Sequence, residues 1–229
     1  MNDKQKMKEI NCKHKVVFLL LAFQLLSFMG NIGYAEMQAS TKCTAKEGIL
    51  YDRKLDDRKA IPELLLNDAG AYRKDGLAIV QKDSMVKLNI FYALAERVVR
   101  YRVSFSADAT ALFRSSLSDF GIYVDIPHQR VSMATNPATE MQVPFLQGNR
   151  EYLIEIYHIY QQAKVRITDL QTKKHAELCA TNDGTGGCGA GILQKGFSVG
   201  MQWDHYCFGL VSGTSFLVKR ITVCALKRK

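Results

Sequence analysis

The signatures that would name a reaction are missing from this sequence of 229 residues. It has no Gly-x-Ser-x-Gly turn on which to mount a serine nucleophile. Gly213-Thr214-Ser215, the nearest approach, falls in a turn between strand-like runs. His205 lies next to Asp204, but neighbours on a strand point to opposite faces, which excludes them as a dyad. No Cys-x-x-Cys pair occurs and the five histidines are dispersed, so thiolate and imidazole metal sites lack their spacing. Internal repeats, low-complexity tracts and long amphipathic helices are absent too. No catalytic block can be read from the chain.

Period-two alternation, by contrast, is abundant. Lys74-Asp75-Gly76 is a turn that signals a hairpin between Tyr72 and Leu77-Ala78-Ile79-Val80. Val86, Leu88 and Ile90 alternate with other residues, and Val99, Tyr101, Val103 and Phe105 alternate with Arg100, Arg102 and Ser104, as a strand with one wet face does. Phe120 to Ile126, Tyr152 to Tyr160 and Val165-Arg166-Ile167 continue the pattern. Near the C-terminus it returns in three sets: Phe197, Val199, Met201 and Trp203; Tyr206, Phe208 and Leu210; and Leu217, Lys219, Ile221 and Val223. About ten short strands separated by turn signals predict an all-β antiparallel sandwich. Val211–Ser215, centred on Ser212-Gly213, reads as a hairpin joining the last two strands. Leu112–Leu117 reads as one helical turn, Thr135–Thr139 as a loop, and Thr172-Lys173-Lys174 as a polar turn.

The chain divides into three parts. Residues 1–35 have five lysines, an apolar run from Val16 to Met29 and a small-residue end at Gly33-Tyr34-Ala35, the layout of a secretory signal peptide. Uncleaved, Val16–Ala35 nearly reaches spanning length and would be a membrane anchor; Gln24 and Asn31 interrupt the run and favour cleavage. No cysteine directly follows the run, so a lipoprotein is not indicated. Residues 36–69 read as a leader that docks on the domain or as a partly mobile linker, in which Ile61 to Leu66 could start a short helix with Pro62 in its first turn. Residues 70–229 form the sandwich. A secreted, periplasmic or cell-surface location follows.

Without the five lysines and two acids of the leader, 26 basic and 20 acidic residues remain, a net of +6. That mild basicity suits an ordinary soluble surface, and it would also favour acidic glycans. The basic residues are scattered among acids in an exported chain, which argues against nucleic acid. Cys43, Cys179, Cys188, Cys207 and Cys224 make an odd set, so at least one thiol is left over. Cys179 and Cys188 flank the glycine loop and could form a disulfide that rigidifies it. Cys207 and Cys224 could pair or pack.

Two constellations invite chemistry. Glu151 and Glu155 share a strand face, and Asp125 could lie on a neighbouring strand, as a glycosidase pair would need. The competing reading pairs these acids with Arg100, Arg102, Lys164 or Arg166, and it is preferred because the tight Glu-x-Asp-x-x-Glu form of glucanases is missing. The second constellation is for sugar binding: Asn182 and Asp183 head a loop with glycines at 184, 186, 187, 189 and 191, while Trp203 and Tyr206 supply aromatic surface. Trp203 also continues the Phe197, Val199, Met201 face, which is a core reading. Asp183-Gly184 could hold calcium through loop oxygens, on one certain carboxylate. No other cofactor is indicated.

Residues 92–106, Asp183–Gly191 and Tyr206-Cys-Phe-Gly-Leu-Val-Ser-Gly-Thr-Ser215 carry a resemblance over about 160 of the 229 residues. The chain resembles concanavalin A-like jelly-roll domains, and more narrowly the non-catalytic N-terminal domain of secreted Bacteroidetes SGNH/GDSL-type hydrolases. That resemblance implies a glycan-associated module beside an esterase. The sequence has no Gly-Asp-Ser block, no Gly-x-Asn-Asp and no terminal Asp-x-x-His. The expectation is therefore a non-catalytic module that binds glycan or supports a separately encoded hydrolase. The alternative is a hydrolase family member truncated before its catalytic domain.

Overall fold

The computed structural model describes residues 43, 47–56, 61–90, 96–115, 121–134, 139–159, 162–181 and 205–226. Among them the chain forms strands and turns and no helix. In chain order the strands are β1 (Glu47–Lys54), β2 (Leu64–Leu65), β3 (Gly70–Arg73), β4 (Gly76–Ile79) and β5 (Met85–Asn89). Then come β6 (Arg97–Phe105), β7 (Thr110–Ser115), β8 (Gly121–Asp125), β9 (Arg130–Met133) and β10 (Thr139–Gln142). The last five are β11 (Glu151–Ile159), β12 (Gln162–Asp169), β13 (His175–Thr181), β14 (His205–Ser212) and β15 (Phe216–Leu226).

These strands form two antiparallel sheets. Sheet A runs β13-β12-β11-β6-β15-β4-β3, with β1 also paired to β15; sheet B runs β10-β9-β8-β7-β14-β5-β2. The alternation decides which side chains meet between the sheets. Val99, Tyr101, Val103 and Phe105 of β6 are buried, as are Tyr152, Ile154 and Ile156 of β11. Phe113, Ile122, Val124, Tyr206, Phe208 and Leu210 face them from sheet B. Aromatic rings tie the layers together: Tyr101 lies 4.9 Å from Phe113 and 5.7 Å from Phe208, and Phe216 lies 5.9 Å from Phe113. Tilted and edge-on pairs of this kind add about 0.5–1.5 kcal/mol each beyond their burial.

Four details differ from what the sequence suggests. Val211–Ser215 is not a hairpin: β14 belongs to sheet B and β15 to sheet A, so the turn crosses from one layer to the other. It lies beside a second crossing, between β6 and β7, to which it is bonded through Ser106 N to Ser215 O at 3.0 Å and Thr214 Oγ1 to Asp108 Oδ2 at 2.7 Å. The Leu112–Leu117 segment is not helical as far as it is described, since β7 runs through it to Ser115. Pro62-Glu63 forms a turn and Leu64-Leu65 a strand, in place of a helix start. Finally, 47–54 lies in sheet A as β1, paired along β15 from Glu47↔Leu226 to Lys54↔Arg220. The 1–35 segment and the strand expected over Phe197–Trp203 fall outside the described residues.

Candidate functional site

Of the residues expected to bind sugar, Asn182, Asp183 and Trp203 lie outside the described residues, and so does the Asp183-Gly184 calcium site. Tyr206 is described, and it is buried between the sheets rather than offered as a platform. Its ring sits 6.2 Å from that of His158 and 5.7 Å from the Arg97 guanidinium carbon. Burial, with the nearby Arg97 charge, pushes the His158 imidazole down to about 3, so the ring is neutral. Tyr206 follows the inward set with Phe208 and Leu210, and this places it in the core.

Cysteine pairing is only partly visible. Cys43 is bonded to Cys224, with Cα atoms 5.7 Å apart, which excludes a Cys207–Cys224 bridge. Among the described residues Cys207 is a free thiol, in the opposite sheet from Cys224. Cys179 is also in a disulfide, but Cys188 lies outside the described residues. Cys43, Cys224 and Glu47 cluster closely, yet bridged sulfurs are not thiolate ligands and Glu47 is engaged elsewhere.

The carboxylates of the outer face of sheet A are committed to cations. Arg100 is 5 % exposed and grips Glu47 with both terminal nitrogens, at 2.8 and 3.0 Å, while its Nε donates to Glu155 Oε1 at 2.9 Å. Burial disfavours that guanidinium charge, but the two carboxylates outweigh it and hold its pKa above the ordinary value. Tyr157 also donates to Glu155, and burial with that carboxylate pushes its hydroxyl up to about 12. Glu151 pairs with Arg102 and, at 2.8 Å, with Lys219. Asp125 is in sheet B, across the sandwich from this pair, and bonds His128 and Arg130. The three acids a glycosidase would use are separated and paired.

Beside Glu151 the outer face of sheet A opens into a cleft of about 260 Å³. The cleft exists because β15 changes partner along one edge. Phe216–Val218 pairs with β4, whereas Arg220–Leu226 pairs with β1. At the changeover the register shifts between Val218 and Arg220 against β6. A bulge inserts an extra residue and re-aims the side chains around it. Val218 and Ile221 therefore both stay in the core, while Lys219 and Arg220 both line the cleft. Leu55 N donates to the Lys219 carbonyl at 2.9 Å, which holds the bulge from the β1 side.

Five cationic side chains converge there: Lys54, Lys74, Arg102, Lys219 and Arg220. Asp56 and Asp75 complete the rim. Arg102 and Lys219 share a single carboxylate, Glu151, and Arg220 is held by Asp52 through its Nε at 2.7 Å. Lys54 and Lys74 are exposed and make no ion pair among the described residues. Sequence reading missed this site. Its signal was the adjacent Lys219-Arg220 pair within a mostly apolar strand, together with the Lys74-Asp75-Gly76 turn.

No protein-family model and no curated protein matches the chain. Solved structures do match. The chain is similar to arcelin-5, a lectin-like defense protein from Phaseolus vulgaris, with a TM-score of 0.54 at 11% identity over 80% of this chain and 100% of that one. It is similar to the VIP36 exoplasmic/lumenal domain in its Ca2+-bound form, with a TM-score of 0.56 at 6% identity over 78% and 91%. It is also similar to the CBM2 module of the evolved Dit of Lactobacillus casei BL23 phage J-1, with a TM-score of 0.53 at 12% identity over 80% and 98%. At such identities the likeness shows the fold alone: a concanavalin A-like β-sandwich.

Proposed function

We propose that the protein is a non-catalytic carbohydrate-binding module. The observation that carries this reading is the donor-rich cleft at the β15 bulge, in a fold shared with lectin-like and carbohydrate-binding domains. Pairing of Glu151, Glu155 and Asp125 with basic groups supports a binding role over glycoside hydrolysis. The module works outside the cytoplasm, beside a separately encoded SGNH-type hydrolase. The Cys43–Cys224 disulfide supports export, because such bonds persist in oxidising compartments. The likeness of Tyr206–Ser215 to the N-terminal domains of such hydrolases supports the partner.

The test is a glycan array probed with the purified protein, with and without a calcium chelator. Saturable binding is expected. A silent array from a protein with a folded β spectrum would sink the proposal. A variant carrying Asn182→Ala, Asp183→Ala and Trp203→Ala asks separately whether the glycine loop contributes. Loss of binding on chelation would assign calcium to that loop.

A further inference from the structure

The geometry points to an anionic polysaccharide, bearing carboxylate or sulfate groups, as the ligand of the cleft between β1, β4 and β15; this inference rests on the carbohydrate-binding reading above. Three features carry it. Among the described residues that line it, cations outnumber acids by five to two. Arg102 and Lys219 divide one carboxylate between them, so each keeps N–H donors that Glu151 does not use. The Arg102 side chain is 45% exposed and that of Lys219 is 32% exposed, so those donors reach solvent.

Guanidinium groups bind planar oxyanions through paired N–H bonds, and ammonium groups add charge without fixing geometry. A carboxylate or sulfate entering the cleft would meet Arg102 and Lys219, with Lys54 and Lys74 also lining it. At about 260 Å³ the cleft is below the usual range for an enclosed small-molecule site, about 300–1,000 Å³. It suits one charged residue of a polymer that runs on across the sheet. A bilayer is the poorer match, because a flat headgroup layer meets protruding side chains and these cations surround a recess.

Three dextrans of one length separate charge from sugar: the neutral polymer, its carboxymethyl derivative and its sulfate. The intact protein is titrated with each by calorimetry, and inorganic sulfate is used as a competitor. Binding of the charged forms and not the neutral one is expected, weakening as salt rises. The charged derivative that binds more tightly identifies the group. Lys54→Gln with Lys74→Gln, and separately Arg102→Gln, should each weaken binding about tenfold, the scale of one charge-assisted contact. Lys173→Gln with Lys174→Gln, exposed in the β12–β13 turn, should leave it unchanged.

Equal losses in the two lysine variants would mean diffuse attraction and would overturn the assignment. So would phosphatidylserine vesicles binding as well as the sulfated dextran. Binding of neutral array glycans that survives both cleft variants would remove this site while leaving the carbohydrate reading intact. Silence toward every sugar would remove both.

Discussion

His158 shows what burial does to a single residue in this fold. It continues the inward row of β11, so the alternation that places Ile154 and Ile156 in the core takes an imidazole there as well. Its ring lies beside Tyr206, and Arg97 occupies the facing position on β6. Burial, then the Arg97 charge, lowers its pKa from the ordinary 6.5 to about 3. A histidine depressed in the folded state binds fewer protons there than when unfolded. Its stabilisation is full above 6.5 and is lost as the pH falls toward 3. The melting temperature should therefore decline steadily between pH 7 and pH 4, before most carboxylates protonate. In His158→Gln that slope should flatten, whatever the variant's absolute stability. An unchanged slope by calorimetry would remove His158 as the cause.

At the scale of one strand, β15 decides both the core and the cleft. Its bulge lets two consecutive basic residues face outward without exposing Val218 or Ile221. Gly76 makes room for that bulge: its φ is +141°, and an added Cβ would sit 2.5 Å from the Val218 carbonyl oxygen. Glycine is the residue that tolerates both conditions. Gly76→Ala should cost about 1–3 kcal/mol and weaken binding of sulfated dextran at the same time. Denaturant unfolding and calorimetry on one sample test the pair; a loss of stability with unchanged binding would detach the cleft from the bulge. The strand itself was legible from its alternation. The bulge was not: Leu217, Lys219, Ile221 and Val223 keep a period of two along the sequence, and the shift between Val218 and Arg220 belongs to the pairing with β6. β7 was hidden in a similar way: Leu112 to Leu117 is short and ambiguous, and its pairing with β14 is what makes it a strand.

Across the whole molecule the disulfide from Cys43 to Cys224 closes a loop over a sequence separation of 181. It ties the chain just before β1 to β15, at the outer face where Arg100 holds Glu47. Long loops restrict the unfolded chain most, and bonds of this type contribute about 2–5 kcal/mol. Cys43→Ala with Cys224→Ala should lower the melting temperature by about 5–15 °C and loosen β1 first. Hydrogen exchange would show β1 amides losing protection before those of β6. A uniform loss across sheet A would mean that β1 is held by its ladder and not by the bridge.

Local order determined much of this protein from sequence alone. Side chains two apart on an extended chain share a face, so apolar alternation announced an all-β sandwich and most of its inner residues. The Lys74-Asp75-Gly76 turn and the polar turn after Asp169 were equally local, and the resemblance reached the same fold. What only the tertiary structure decided depends on residues distant in sequence: which sheet each strand joins, and that Val211–Ser215 crosses between layers. The change of partner along β15 is another such choice. The cleft is assembled from Lys54, Lys74, Arg102, Lys219 and Arg220, which no spacing rule connects. Pairing between strands brings those cations together, because hydrogen-bonded register is a property of two segments and is encoded in neither one alone.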